Sequence, residues 1–489
     1  MLFVLNVEMI VETKPYQIWK YLPDRISSYL GIILLFGALS ACQPKAERTA
    51  VDIAIYNATI LTMDSAKSVL PQATILIKAD RIFKIGSDSL LRDTYQAKET
   101  LNAKGSIVMP GLINTHTHLP MSLLRGIADD LPLQQWLEQY IWPVEAAVMD
   151  REAIRLGSQL AMAELIRSGT TCFNDMYFFA DEIAKVADEV GLRGRVGEGI
   201  LDYPTPSHPS AESAMEASVV LAKQYFSHKR LGVSICPHSP YACSAERLAR
   251  ADSLAQVLGI PLNIHLAETQ TELGIVDERF SLTPAQYLDS LQVLRPGYIG
   301  AHGVWLNEAD QTILASRGVA IAHCPESNMK LASGVAPVPA LLHHGITVGL
   351  GTDGASSNND LDLFEEMSSA AKLQKVHLMD PTALPAATVL EMATIGGARL
   401  MGWEDKIGSL EVGKAADLIV ISVSAPHMQP LYDVFSQIVY VADGNDVTHT
   451  MVAGRWLMRD KRLLTLDQQQ ILADAKAMQE RIIASLPVD

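Results

Sequence analysis

Two histidines one residue apart, His116 and His118, stand in the stretch PGLINTHTHLP at residues 110–120. On an extended chain, positions i and i+2 point the same way, so the pair can aim two imidazoles at one point beyond a strand. Two imidazoles alone do not hold a metal tightly, and in a turn they would be ordinary polar residues. More donors must come from elsewhere in the chain. Six of its 13 histidines follow or close short apolar runs: His116 and His118 after 106–113, His238 after 231–237, His265 in 261–268, His302 in 297–302 and His323 in 318–325. Asp175, Glu268 and Asp353 close the runs 170–175, 261–268 and 346–353.

Three imidazoles and a carboxylate, from His116, His118, His265 and Asp353, make a divalent-ion site of the zinc kind with a position open to water. Fe2+ or Mn2+ suits the same nitrogen and oxygen donors. An ion there lowers the pKa of bound water toward neutrality and yields hydroxide at ordinary pH. Glu268, three residues past His265, can reach the same cavity without ligating, as a proton shuttle should. Asp353 can take the water's proton while ligating, and His302 can orient the nucleophile or stabilise developing negative charge. The reaction this set points to is hydrolysis: hydroxide attacks an electrophilic carbon and Glu268 protonates the leaving side.

Chemistry drawn from so many short runs needs a scaffold that gathers strand ends. Eight apolar runs, at 106–113, 170–175, 193–199, 231–237, 261–268, 297–302, 318–325 and 346–353, alternate with mostly helical patterns over about 250 residues. That is the pattern of a (β/α)8 TIM-type barrel, whose active site lies at the C-terminal strand ends. A doubly wound sheet usually has fewer strands. Short-strand patterns at both chain ends, VDIAIYNATILTM and ATILIKADRIFKIG early, AADLIVISV and HTMVAGRWLM late, predict a small composite β-sandwich. The expected layout is a sandwich part at 51–106, the barrel at 107–400, and a second sandwich part with a C-terminal helix at 401–489.

Hydrophobic content of 48% and charged content of 19% describe a globular protein. A net charge of −16 without Lys/Arg clusters argues against binding nucleic acid. The five cysteines form neither a disulfide framework nor a structural zinc pattern. Residues 1–42 differ in character: Lys14, Lys20 and Arg25 precede the apolar run 29–39, too short to span a bilayer comfortably, and small residues follow. This reads as an export signal. Leu39-Ser40-Ala41-Cys42 resembles a bacterial lipobox, with Cys42 as the lipidated first residue of the mature chain and 43–50 as a tether. The expectation is a periplasmic lipoprotein on a bacterial membrane; a cytoplasmic product or an uncleaved anchor is the alternative.

The segments PGLINTHTHLP, IHLAET, GAHGVW, SNMKLASGVAPVPALL and GLGTDGASSNNDLDLFEEM resemble the amidohydrolase superfamily. Within it they are most similar to 5′-methylthioadenosine/S-adenosylhomocysteine deaminases. The resemblance runs from about Val51 to the C-terminal region. It implies that His116, His118, His265 and Asp353 bind one ion, usually zinc. It further implies that Glu268 protonates purine N1, hydroxide adds at C6 and ammonia departs. WPVE (142–145) resembles the segment whose glutamate holds the ribose hydroxyls, implying Glu145. PHSPYACS (237–244) resembles the segment whose histidine contacts substrate, implying His238. The expected partner is a small purine nucleoside, and barrel enzymes of this kind often form homo-oligomers.

One stretch departs from the relatives that accept S-adenosylhomocysteine. VGEGILDYPTPSHPSAESAM has Glu198 where a carboxylate-binding arginine could stand, and no arginine follows in that loop. This favours neutral 5′-modified adenosines or adenosine, since a carboxylate gains most from a guanidinium partner and a nearby Glu198 would repel it. The competing readings are an amidohydrolase of guanine-type bases, triazines or cyclic amides, and a lipid-anchored metal-binding protein without turnover. Nucleic-acid deaminases use an H-x-E…P-C-x-x-C pattern absent here.

Overall fold

The computed structural model describes residues 48–486; Cys42 and the apolar run before it lie outside the described residues. The first strand, β1 (Thr49–Leu61), hydrogen-bonds to three others because its 13 residues outlast any one partner. It pairs antiparallel with β2 (Val69–Lys78), which turns into β3 (Arg81–Ser87). Along its other edge it runs parallel first to β4 (Tyr95–Asn102), then to β5 (Ile107–Pro110).

The apolar run expected as one strand over 106–113 is therefore two. β5 completes the small sheet and β6 (Leu112–Thr117) opens the barrel, with Gly111 between them. A Cβ on Gly111 would fall 2.1 Å from the Thr171 side chain, so only glycine lets the chain cross between the two units here. The first sandwich part thus reaches Pro110 rather than residue 106.

β6 is followed by β7 (Thr170–Tyr177), β8 (Arg193–Ile200) and the interrupted fourth strand, β9 (Leu231–Val233) with β10 (Cys236–Pro237). Next come β11 (Leu262–Leu266), β12 (Tyr298–His302), β13 (Ala320–His323) and β14 (Val348–Leu350). Neighbours within each group of four pair parallel. Two parallel bridges join the groups into a ring, Ile235 with Leu262 and Thr117 with Asp353. Nearly every residue of β6, β7 and β11 is buried, as both faces of a parallel barrel sheet require.

Helices on the outside follow the predicted patterns. Arg151–Arg167 starts at Asp150, whose carboxylate accepts from the Glu152 and Ala153 amides, and it buries Ile154, Ala161 and Leu165. Ala245–Leu258 stops at Gly259 in the left-handed conformation. After the barrel, β15 (Leu418–Ile421), β16 (Val447–Val452), β17 (Arg455–Arg459) and β18 (Arg462–Leu463) return to the small sheet, where β15 pairs with β5. The result is one nine-stranded sheet, a continuous path of eight strands with β4 joined to β1 beside it. Its strands bury a shared cluster that includes Ile55, Ile75, Val108, Leu418 and Met451, so sequence from both ends meets in one core. The last helix is Gln468–Ile483.

Candidate active site

Both seams of the barrel ring carry candidate ligands. At one, the His265 amide donates to the His238 carbonyl at 3.0 Å; at the other, the Asp353 amide donates to the His116 carbonyl at 3.0 Å. Strand eight lies so close to strand one that a Cβ on Gly351 would sit 2.8 Å from the His116 amide nitrogen. His302 and Asp353 adopt positive φ, 74° and 63°. Such backbone is strained for non-glycine residues and persists where the surroundings hold it.

Second partners fix the imidazoles. His265 donates from Nδ1 to the His238 carbonyl at 2.7 Å, and His118 donates from Nδ1 to the Met176 carbonyl. With Nδ1–H committed, each Nε2 of the neutral ring presents a lone pair, and these two nitrogens lie 3.3 Å apart. Asp353 Oδ1 lies 3.3 Å from His116 Nε2 and 3.2 Å from His118 Nε2. Its other oxygen accepts from Ser327 and Ser357 hydroxyls, each at 2.7 Å. His116 is fully buried and neither of its nitrogens has a hydrogen-bond partner.

Facing lone pairs and an orphaned buried imidazole are costly in a protein interior. A cation among them would take the facing lone pairs and one nitrogen of His116, so the residues present fit a divalent ion. His116, His118 and Asp353 form one ligand group, and His116, His265 and His302 a second, each with donor atoms within 4.8 Å of one another. The charge states agree with ligation. Burial holds His116 down to about 4 and pushes His265 well below its ordinary value, so both stay neutral. Burial also opposes charge on Asp353, but the His116 and His118 imidazoles facing its Oδ1 outweigh it and hold the carboxyl well below its usual range. Against the burial of His118, Asp353 lifts that imidazole to about 9, so a proton and a metal ion compete for its Nε2.

Glu268 stands beside this cluster, with its Oε2 3.9 Å from His302 Nε2. Burial raises its pKa, while His302 opposes the shift. A carboxyl raised in this way keeps a proton to give. His302 donates from Nδ1 to Asn328 Oδ1 at 2.9 Å, leaving Nε2 toward the cavity. His238 is half-buried with its Nδ1 enclosed and unpartnered, and desolvation pushes it down to about 3. His118, His238, His265, Glu268, His302 and Asp353 open on one cavity of about 500 Å3 that Glu145 also lines, with His116 buried behind it. Tyr177 donates its hydroxyl to Glu145, whose carboxyl burial raises to about 7. The remaining wall is largely apolar, with Trp136, Ile141, Trp142 and Leu201, and among the described residues no Lys or Arg lines it.

The structure thus brings together all eight candidates named from the sequence within the described residues: His116, His118, Glu145, His238, His265, Glu268, His302 and Asp353. Residues 107–457 match the sequence profile of the amidohydrolase family. The chain belongs to that family. Over 421 residues this amidohydrolase is 43% identical to a 5-methylthioadenosine/S-adenosylhomocysteine deaminase of Syntrophobacter fumaroxidans, covering 86% of this chain and 96% of the relative. It is also 43% identical to a 5′-deoxyadenosine deaminase of Methanosarcina mazei, over 88% of this chain and 99% of that one. Among solved structures it resembles an adenosine deaminase from Xanthomonas campestris with bound zinc, at 39% identity and a TM-score of 0.88, covering 90% of this chain and all of that one. A zinc-bound atrazine chlorohydrolase from Arthrobacter aurescens, 24% identical with a TM-score of 0.80 over 87% of this chain and all of that one, shares the fold.

Other residues of the amidohydrolase site were not assigned from the sequence. Ser327, Asn328 and Ser357 hold Asp353 and His302, and Tyr177 holds Glu145. Glu272 accepts from the Ala267 and Glu268 amides at 2.9 and 2.8 Å and so fixes the turn that presents Glu268. Asp175, noted at the end of its run, accepts the Leu119 amide at 2.6 Å and lies outside both ligand groups. Buried His323, with both nitrogens unpartnered, also stands apart from them. Glu198 corrects an expectation. It accepts from the Phe179 and Ala180 amides at 3.3 and 2.8 Å and from Ser207, and it does not line the cavity. The repulsion expected from it does not act on a bound substrate.

Proposed function

We propose that this amidohydrolase is a hydrolytic deaminase of adenosine-type nucleosides with a neutral 5′ group, converting them to the inosine-type product with release of ammonia. One observation carries the reading. A single cavity holds the converging ligand set with Glu268, and also Glu145 as a buried, hydrogen-bonded acceptor for ribose hydroxyls. A site built for free bases, triazines or cyclic amides has no use for such a carboxyl.

His116, His118, His265 and Asp353 would hold the ion, with zinc the proposed metal, given the zinc-bound relative of similar sequence. When bound, the ion supplies a water acidic enough to act as nucleophile at neutral pH. Glu268 delivers its proton to purine N1, which makes C6 more electrophilic and prepares the amino group to leave. Asp353, with one oxygen held by two serines, accepts the proton that the water gives up. His302, whose Nε2 faces the cavity, orients the oxygen adding at C6, and His238 contacts the substrate. Glu145 takes the two ribose hydroxyls, a bidentate anchor that sets the ring against Glu268. The apolar wall beyond the ribose suits 5′-methylthio or 5′-deoxy groups. Among the described residues it offers no cation to the carboxylate of S-adenosylhomocysteine.

Specificity constants on the purified protein test this. Ammonia release is expected to be fastest with 5′-methylthioadenosine or 5′-deoxyadenosine, slower with S-adenosylhomocysteine, and negligible with guanine. A higher constant for S-adenosylhomocysteine than for methylthioadenosine would overturn the neutral-group preference. Turnover of guanine alone would overturn the nucleoside reading.

A further inference from the structure

Much of the apolar side of the cavity comes from one segment after the first barrel strand, and the ligand set does not explain how that segment is held. It runs through three consecutive helical stretches, Leu133–Trp136, Leu137–Ile141 and Trp142–Val148, and brings Trp136, Ile141, Trp142 and Glu145 to the cavity. Before it lies a loop in which Gly126, Ala128 and Asp130 take φ of 75°, 55° and 65°. Alanine and aspartate at positive φ keep that shape where contacts from outside over-determine it.

Those contacts gather at Asp129. Its Oδ1 accepts from Lys330 Nζ at 2.6 Å, and its Oδ2 accepts from Asn359 Nδ2 at 3.1 Å. Lys330 also donates to Asn359 Oδ1 at 2.7 Å and to the Ser356 carbonyl at 3.3 Å. The ammonium thus has three acceptors, one for each proton, and both oxygens of Asp129 are engaged. Side-chain exposures of 22% for Lys330 and 34% for Asp129 place the pair in partial shelter, where a charged network counts for more than an open surface pair.

What Lys330 connects gives the clasp its meaning. It ends the short helix Pro325–Lys330, whose Ser327 and Asn328 hold Asp353 and His302. Ser356 and Asn359 belong to the turn after β14, beside Ser357, the second hydroxyl on Asp353. One ammonium therefore ties the Glu145-bearing segment to both loops that orient the reacting groups.

The geometry points to Lys330 as a positioning residue that, through Asp129 and Asn359, seats residues 126–148 over the bound nucleoside and so sets substrate affinity. It rests on the nucleoside reading of Glu145. Lys330 is absent from the cavity wall and from the ligand groups. Asp353 and His302 keep their own partners when the clasp opens, so affinity suffers more than the chemical step.

The test uses the metal-loaded protein with Asp129→Asn, Lys330→Met, the double variant and Lys330→Arg. KM and kcat are measured with 5′-methylthioadenosine, and amide hydrogen exchange is followed over the whole chain. Each single variant is expected to raise KM about fivefold with kcat within about twofold. The double variant should do no worse than either single, and Lys330→Arg should recover most of the loss. Exchange should quicken over 126–148 alone. Additive effects, an unchanged KM, or faster exchange throughout the barrel would overturn the proposal. Should the wild-type protein turn over no nucleoside, the functional reading fails separately. The exchange data still decide the clasp, and unchanged exchange over 126–148 in the single variants would end it.

Discussion

His116 shows how a single side chain exposes a site. A buried imidazole with two unpartnered nitrogens is tolerated where something else takes its lone pair, and Asp353, His118 and His265 crowd around it. Those residues were legible in the sequence because histidine is uncommon and six of 13 fell at strand ends. Ser327, Asn328 and Tyr177 were not. Their types are ordinary, and their partners are brought to them by the fold from 26 to 32 positions away. Glu145 carries a pH prediction. Burial sets its carboxyl near 7, with Tyr177 and His118 pulling the other way. The carboxylate, and not the acid, accepts from both ribose hydroxyls. Protonation of the free protein therefore weakens binding, and kcat/KM is expected to fall about tenfold per unit below pH 7. In Glu145→Gln that acidic limb should vanish; a limb that persists there belongs to another group.

At the scale of elements, the barrel strands were readable as apolar runs and the outer helices from caps and period. The break at Gly111 was hidden, because β5 and β6 form one uninterrupted apolar run whose halves serve different sheets. β4 was also missed: YQAKETLN is strongly polar, and its alternate residues face solvent. The helix Pro325–Lys330 shows what a short element contributes. It offers Ser327 to Asp353 and Asn328 to His302 from adjacent positions. Ser327→Ala removes one of the two hydroxyls that orient the Asp353 carboxylate. It is expected to weaken zinc affinity about tenfold or more while the fold survives. Competition against a chelator of known affinity measures this, and an unchanged zinc affinity would remove Ser327 from the site's support.

For the whole molecule, the two chain ends meet in one small sheet while the strand ends of the barrel converge on one cavity, so distant sequence segments build both units. No helix among the described residues is long and apolar enough to cross a membrane. The proposed export rests on the sequence of the segment before the described residues. The proposal that Cys42 is the lipidated first residue of the mature chain is checked by mass spectrometry of the native protein. A diacylated or triacylated peptide beginning at Cys42 is expected, and an unmodified peptide spanning Ala41 to Gln43 would reject it.

Deamination at a metal site with Glu268 as proton donor is tested most directly by giving 5′-methylthioadenosine to zinc-loaded wild-type protein and zinc-loaded Glu268→Gln. Ammonia and the inosine-type product are followed together with zinc content. The expected result is one ammonia per nucleoside converted by the wild type, and full zinc occupancy with turnover reduced about 100-fold or more in the variant. Near-wild-type turnover by Glu268→Gln, or loss of the nucleoside without equimolar ammonia, would contradict it.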